Sequence, residues 1–159
     1  MYTGESTTAV DEKGRINIPV HLKSRMDASK HETWHVTRGY DGALFFFPDE
    51  RWNEVVKMLE TPNGLHPRLY NFRRFILGSE AVVKMDKQNR FNLPQTLLDY
   101  AGIERNAVIL GLGDHLEVWS ARGWKAFQEC QMDSFKRAAE ELFGCPRSVV
   151  GLPTEGAEG

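Results

Sequence analysis

Apolar and polar positions alternate in short stretches along this chain, and the stretches occur twice. Arg15-Ile16-Asn17-Ile18 has the two-residue period of a half-buried strand, and residues 7 to 11 before it share that character. The residues between them turn the chain, and Gly14 suits a backbone position with positive φ. Pro19 stands where a first helical turn accepts proline, with Leu22 and Met26 behind it, so a short helix follows the strand pair. Trp34 to Gly39 and Ala43 to Phe47 read as two more strands around the hairpin dipeptide Asp41-Gly42. Pro48-Asp49 then opens a helix carrying Trp52, Val55, Val56 and Leu59.

The second pass keeps this order. Asp11-Glu12-Lys13-Gly14-Arg15-Ile16-Asn17-Ile18-Pro19 is matched by Asp86-Lys87-Gln88-Asn89-Arg90-Phe91-Asn92-Leu93-Pro94 at an offset of 75, and Leu22 and Leu97 continue the match. Asn89, the residue next most tolerant of positive φ, takes the place of Gly14. Val36, Gly39, Leu44 and Trp52 meet Val108, Gly111, Leu116 and Trp124 at an offset of 72, with Phe47 opposite Trp119, so three residues are missing between the halves of one copy. Pro94 precedes a helix with Leu97, Leu98 and Ala101, and Ala107 to Leu110 and Leu116 to Trp119 flank a Gly113-Asp114 turn. Ser120 starts a long helix with Trp124, Phe127, Phe135, Ala138 and Leu142, ending at Gly144-Cys145-Pro146. Between the copies, Thr61-Pro62-Asn63-Gly64 reads as a loop, and Leu69 to Leu77 as a linking helix with Leu69, Phe72 and Ile76 on one face.

The resulting division is a first repeat over 5–52, a linking helical segment over 53–78, a second repeat over 79–124, a C-terminal helix over 125–144 and a flexible tail over 145–159. A repeat of roughly 45 residues buries too little surface to stand alone. The two copies are therefore expected to close on each other, exchanging strands into one shared core with approximate twofold symmetry. Such a body sets both Asp-to-Arg turns side by side. The aromatic residues Phe72, Phe75, Phe127 and Phe135 are assigned to the intrachain core, with chain-to-chain contact as the other role open to these helices.

Composition narrows the function classes. The 159 residues are 41% hydrophobic and 26% charged, ordinary for a folded globular chain. A formal net charge of −2 excludes nonspecific polycation behaviour, so any nucleic-acid contact must be local. The longest apolar runs, such as Ala43 to Phe47, fall far short of a membrane span, and no basic-then-apolar leader opens the chain, so a cytoplasmic location is expected. Cys130 and Cys145 lie outside any Cys-x-x-Cys spacing and read as reduced thiols.

Rival chemistry is thin. His31-Glu32-Thr33-Trp34-His35 matches the His-Glu-x-x-His zinc signature, but that mechanism needs a helix to bring both imidazoles to one metal, and these residues lead into a strand. Gly111-Leu112-Gly113 opens like a dinucleotide fingerprint, yet Leu116 stands where the third glycine belongs and no helix begins there. His21, His66 and His115 are scattered, and no Ser or Cys has a nucleophile-elbow setting. No enzyme activity, metal or cofactor is expected.

The paired Asp-x-x-x-Arg turns, each running into apolar-x-apolar-Pro, together with Gly39-Tyr40-Asp41-Gly42 and Phe46-Phe47-Pro48, resemble the MraZ family of bacterial transcriptional regulators, built from two AbrB-like domains. The resemblance covers about residues 1 to 143 and departs from the family pattern at Asn89, where glycine is usual. It implies a mixed α+β fold with a mainly β core, in which two swapped-hairpin repeats form one pseudo-twofold β-barrel with flanking helices. It implies also a ring-shaped homo-oligomer, nucleoid-associated, that binds repeated double-stranded DNA sites in the promoter of the division and cell-wall gene cluster. Asp11, Arg15, Asp86 and Arg90 are its motif residues.

Residue chemistry assigns roles within those turns. Asp11, Gly14, Asp86 and Asn89 organise them, each aspartate as the partner of its arginine in a salt bridge worth about 0 to 1 kcal/mol if exposed. Arg15 and Arg90 are the DNA readers, because a planar guanidinium chelates guanine or phosphate in a fixed fork. Lys13 and Lys87 add point charges toward the backbone. Residues 11–15 sum to zero charge and residues 86–90 to +1, so one chain binds weakly and linked chains gain avidity, by about 10² to 10⁴ where DNA sites repeat in register. The alternative is an interaction or antitoxin-like module of the same fold without DNA binding, and a zinc hydrolase through His31 and His35 is a third and poorer reading.

Overall fold

A computed structural model describes residues 1–25, 33–60 and 66–144. Met26, His31, the Thr61-to-Gly64 loop, Cys145 and the tail lie outside the described residues. In chain order the elements are β1 (Tyr2–Ala9), β2 (Arg15–Asn17), α1 (Val20–Lys23), β3 (Thr33–Arg38), β4 (Leu44–Pro48), α2 (Asp49–Leu59), α3 (Pro67–Leu77), β5 (Ala81–Lys84), β6 (Arg90–Asn92), α4 (Gln95–Ala101), β7 (Asn106–Gly113), β8 (Leu116–Ser120) and α5 (Ala121–Phe143). The chain divides into two compact units, Met1–Trp124 and Lys125–Gly159. Among the described residues no helix is long and apolar enough to cross a membrane.

The first unit is a mixed α/β body built on antiparallel pairing. Six strands form one sheet in the order β1-β7-β8-β4-β3-β5, and β2 pairs with β6 in a second. Exchanging β1 with β5, β2 with β6, β3 with β7 and β4 with β8 maps both orders onto themselves. Each repeat thus lends its first strand to the other's hairpin: β1 lies along β7 and β5 along β3. A repeat cut out alone would leave that hairpin with an unpaired edge, which is the physical reason for the exchange.

The register corrects part of the internal alignment. Val83 lies opposite Trp34 and Thr8 opposite Ala107, so β3 and β7 correspond at an offset of 73 rather than 72, and the counterpart of Val36 is Ile109 rather than Val108. Val36 and Ile109 are both fully buried. The hairpin closes by Gly39 N donating to Ala43 O in one copy and Leu112 N to His115 O in the other, so one of the three missing residues falls inside the hairpin. The prolines shift likewise: Pro19 and Pro94 cap α1 and α4 from outside, one residue before the first helical position.

One core joins the two repeats. Ile16, Ile18, Leu22, Trp34, Val36 and Phe46 pack with Phe91, Leu93, Leu97, Ile109, Leu116 and Val118. Trp34, Phe46 and Phe91 are 0% exposed, and their rings lie about 6 Å apart, Trp34 to Phe91 at 6.0 Å and Phe46 to Phe91 at 5.8 Å. Truncating any of these to alanine would cost about 3 to 5 kcal/mol. A second cluster, Phe45, Phe47, Trp52 and Ile76, holds α2 and α3 against the other face of β3 and β4. The assignment of the remaining aromatic residues to the core does not hold: Phe75 and Phe135 are each 58% exposed, Phe72 is 37% exposed and Phe127 only partly buried.

Candidate nucleic-acid interface

Each Asp-to-Arg turn is wired by its aspartate. Asp11 Oδ1 accepts from Lys13 N (3.0 Å) and Arg15 N (2.9 Å), and Oδ2 accepts from Arg15 Nε at 2.6 Å. Asp86 repeats the set, accepting from Gln88 N (2.8 Å), Arg90 N (2.9 Å) and Arg90 Nε (2.9 Å). The backbone closes identically: Asp11 N donates to Arg15 O and Gly14 N to Asp11 O, as do Asp86 N to Arg90 O and Asn89 N to Asp86 O. A short side chain that accepts from the amides two and four residues on is what an Asx-type turn requires, which glutamate would overreach. Both turns pass through the left-handed region, Gly14 at φ 77° and Asn89 at φ 63°.

These bonds fix the charge state. The backbone amide of Arg15 is the largest influence holding the Asp11 carboxyl below the usual aspartate range; desolvation opposes it, and the Arg15 guanidinium and the Lys13 amide add to the lowering, as Arg90 and Gln88 do for Asp86. Because each aspartate takes its arginine through Nε, it leaves the terminal Nη groups of that guanidinium outside the pair. Arg90 Nη1 also comes within 3.8 Å of Asp11 Oδ2, so the two turns touch.

The turns are joined through the backbone as well. Ile18 N donates to Asn89 O and Leu93 N to Gly14 O, both at 3.0 Å, so each turn supports the strand end of the other. Between them β2 and β6 pair as Arg15 with Asn92, Ile16 with Phe91 and Asn17 with Arg90. Ile16 and Phe91 point into the core, so Arg15, Asn17, Arg90 and Asn92 share the outward face. Lys13 and Lys87 are exposed on the flanking turns but are not equivalent: at the repeat offset Lys13 corresponds to Gln88 and Lys87 to Glu12. The structure thus places Asp11, Lys13, Gly14 and Arg15 with Asp86, Lys87, Asn89 and Arg90 in one region. Asn17 and Asn92 escaped the sequence reading, although their recurrence at matched positions of both repeats carried the signal.

His35, half of the zinc motif, lies on a strand rather than a helix. Its Nδ1 meets Glu80 Oε1 at 2.5 Å, its Nε2 meets Asp49 Oδ1 at 2.9 Å, and its ring stacks on Trp52 at 5.5 Å, so both nitrogens are engaged in tying β3 to its neighbours.

Comparison with known proteins adds an independent line. A family model described as "MraZ protein, putative antitoxin-like" matches residues 1–66 and 76–145. A protein of Syntrophomonas wolfei named transcriptional regulator MraZ is 32% identical over 142 residues, 89% of this chain and 96% of the relative. Proteins of the same name from Limosilactobacillus reuteri and Lactiplantibacillus plantarum are 35% and 34% identical, again over 89% of this chain and over 97% and 98% of their own lengths.

Proposed function

The chain belongs to the MraZ family, and from that membership we propose that it is a DNA-binding transcriptional regulator whose contact surface is the joined pair of Asp-x-x-x-Arg turns. The observation that carries this reading is the coupling of Arg15 and Arg90 onto the outward face of one ribbon, each held by an aspartate through Nε, with Arg90 Nη1 also 3.8 Å from Asp11. An arginine pre-positioned in this way loses less side-chain entropy on meeting a guanine or a phosphate. A turn fixed only for its own sake would gain little from a partly exposed ion pair. Lys13 and Lys87 supply phosphate contacts, and Asp11, Gly14, Asp86 and Asn89 set the turn shape. No step in this function requires catalysis or a cofactor.

The finer architecture belongs to the same proposal. We read the exchanged strands as one pseudo-twofold β-barrel of two AbrB-like repeats, 5–52 and 79–124, joined by the segment 53–78 and followed by the C-terminal helix 125–144. Chains assemble into a ring, in the cytoplasm and on the nucleoid, so that repeated promoter sites engage several turn pairs at once. Leu69, Phe72 and Phe75, exposed apolar residues three apart on one side of α3, are the surface on which we place one chain-to-chain contact.

Footprinting on the DNA upstream of its own gene, alongside a solution mass measurement, tests the proposal. Protected segments at a regular spacing, from a species larger than one chain, are expected. Equal affinity for that DNA and for random duplex of the same length would instead favour an interaction module without sequence-specific binding.

A further inference from the structure

Asn17 and Asn92 close the two matching three-residue strands, β2 and β6, one in each repeat. Asparagine is depleted in strands, where it offers the pleated surface little to pack and competes for backbone hydrogen bonds. A residue that works against its own element in both repeats, with no return to the fold, marks a site selected for something else. Both side chains are exposed, and among the described residues neither carboxamide has a hydrogen-bond partner; the one bond near them, Thr8 Oγ1 to Asn17, is accepted by the backbone oxygen. Each lies directly across the ribbon from an arginine, Asn92 from Arg15 and Asn17 from Arg90.

Their placement matches base spacing. Cross-strand partners have Cβ atoms about 5 Å apart, so each arginine and its facing asparagine leave the ribbon side by side on one face. The two Arg-Asn pairs are separated by two residues along the ribbon, about 7 Å at a rise of about 3.4 Å per residue. Stacked base pairs also rise by about 3.4 Å, so the two pairs lie about two base steps apart. A two-stranded β-ribbon fits the major groove, which is about 12 Å wide, and there a carboxamide is the complement of adenine, donating to N7 and accepting from N6, as a guanidinium fork is of guanine O6 and N7.

We infer that Asn17 and Asn92 are specificity residues, each reading an adenine in the major groove next to the guanine taken by the arginine across the ribbon from it. The pseudo-twofold relation of the pairs makes the recognised element a short inverted one, with an adenine beside a guanine on each strand. This inference rests on the DNA-binding reading and adds to it which side chains discriminate bases. Lys13 and Lys87, on the flanking turns, position the protein without reading sequence.

The test uses the full chain and a site selected by it from a random duplex library. Affinities are measured for that site, for every single-base substitution of it, and for duplexes in which each adenine is replaced in turn by 7-deazaadenine, which lacks the N7 acceptor. For the wild type, the change is expected to weaken binding at two symmetry-related adenines by roughly fivefold or more. In Asn17→Ala with Asn92→Ala that sensitivity should vanish at those adenines alone, while the slope of affinity against salt stays as in the wild type. Asn17→Thr with Asn92→Thr, which favours the strand, should behave the same way and so excludes unfolding as the cause. A wild type that selects a site and binds it with a normal salt slope, but whose base preferences survive both double variants, overturns the asparagine assignment alone. A wild type without selectivity or salt slope overturns the DNA-binding reading, and this one with it.

Discussion

Gly14→Ala probes the point where the two turns meet. The backbone there is at φ 77°, a left-handed conformation that costs a residue with a Cβ roughly 1 to 2 kcal/mol. A Cβ on Gly14 would also stand 2.9 Å from Leu98 Cδ1 and 3.1 Å from Leu93 O. The leucine tip can swing aside, but Leu93 O is backbone in the segment whose amide donates to Gly14 O, so the coupling between turns has to give. Crowding of this kind adds about 1 to 3 kcal/mol, for a total of about 2 to 5 kcal/mol. Asn89→Ala is the internal control. Its φ of 63° is similar, but the counterpart of Leu98 at the repeat offset is the exposed Lys23, so only the conformational cost, about 1 kcal/mol, is expected. Urea unfolding followed by tryptophan fluorescence, Trp34 being fully buried, reads both, and thermal melting should fall by roughly 4 to 20 °C for Gly14→Ala. Gly14→Ala within about 0.5 kcal/mol of wild type, or Asn89→Ala as costly as Gly14→Ala, would refute the reasoning.

Three further outcomes follow from the same geometry. Glu12→Lys places a cation at the position matching Lys87, so DNA affinity should rise and the log–log salt slope should steepen by about 1, measured by fluorescence anisotropy between low and moderate salt. Asp11 and Asp86 titrate below their ordinary value of 3.8, so their contribution to stability is whole above that pH and is lost as the pH falls through the lowered folded values. Asp11→Asn with Asp86→Asn should therefore be less stable than wild type at pH 7 and lose less than wild type does on going to pH 3; parallel pH profiles in urea melts would count against the turn assignment. Phe75, 58% exposed, should tolerate Phe75→Glu within about 0.5 kcal/mol while the mass in solution drops; an unchanged mass removes α3 from the assembly contact.

The legible parts of this fold were those whose chemistry is local. A glycine or asparagine between Asp and Arg announces a left-handed turn, and Asp41-Gly42 announces a hairpin, because a few adjacent residues decide the backbone there. The beginning of β1 was not legible: Tyr2-Thr3-Gly4-Glu5-Ser6 has no apolar alternation, and it is a strand because β7 supplies its partner from the other repeat. Partner choice is a long-range matter, so the 73-residue correspondence of β3 and β7 emerged only from register. Phe72 and Phe75 misled for a related reason: a helix with apolar residues on several faces does not disclose which face the sheet covers, and Ile76 alone is buried deeply on α3. At the interface, sequence identified the charged residues of the turns but passed over Asn17 and Asn92. Only the pairing of β2 with β6 sets those asparagines beside the arginines.

The central claim is that Arg15 and Arg90, held on one ribbon by Asp11 and Asp86, form the surface that meets DNA. Its most direct test is the affinity of wild type and of Arg15→Ala with Arg90→Ala for a selected duplex, measured across a salt series with circular dichroism confirming that both are folded. The account predicts a salt slope of roughly −2 or steeper for the wild type and a loss of site preference in the folded double variant. A folded double variant that binds the selected duplex with wild-type affinity and preference would contradict it.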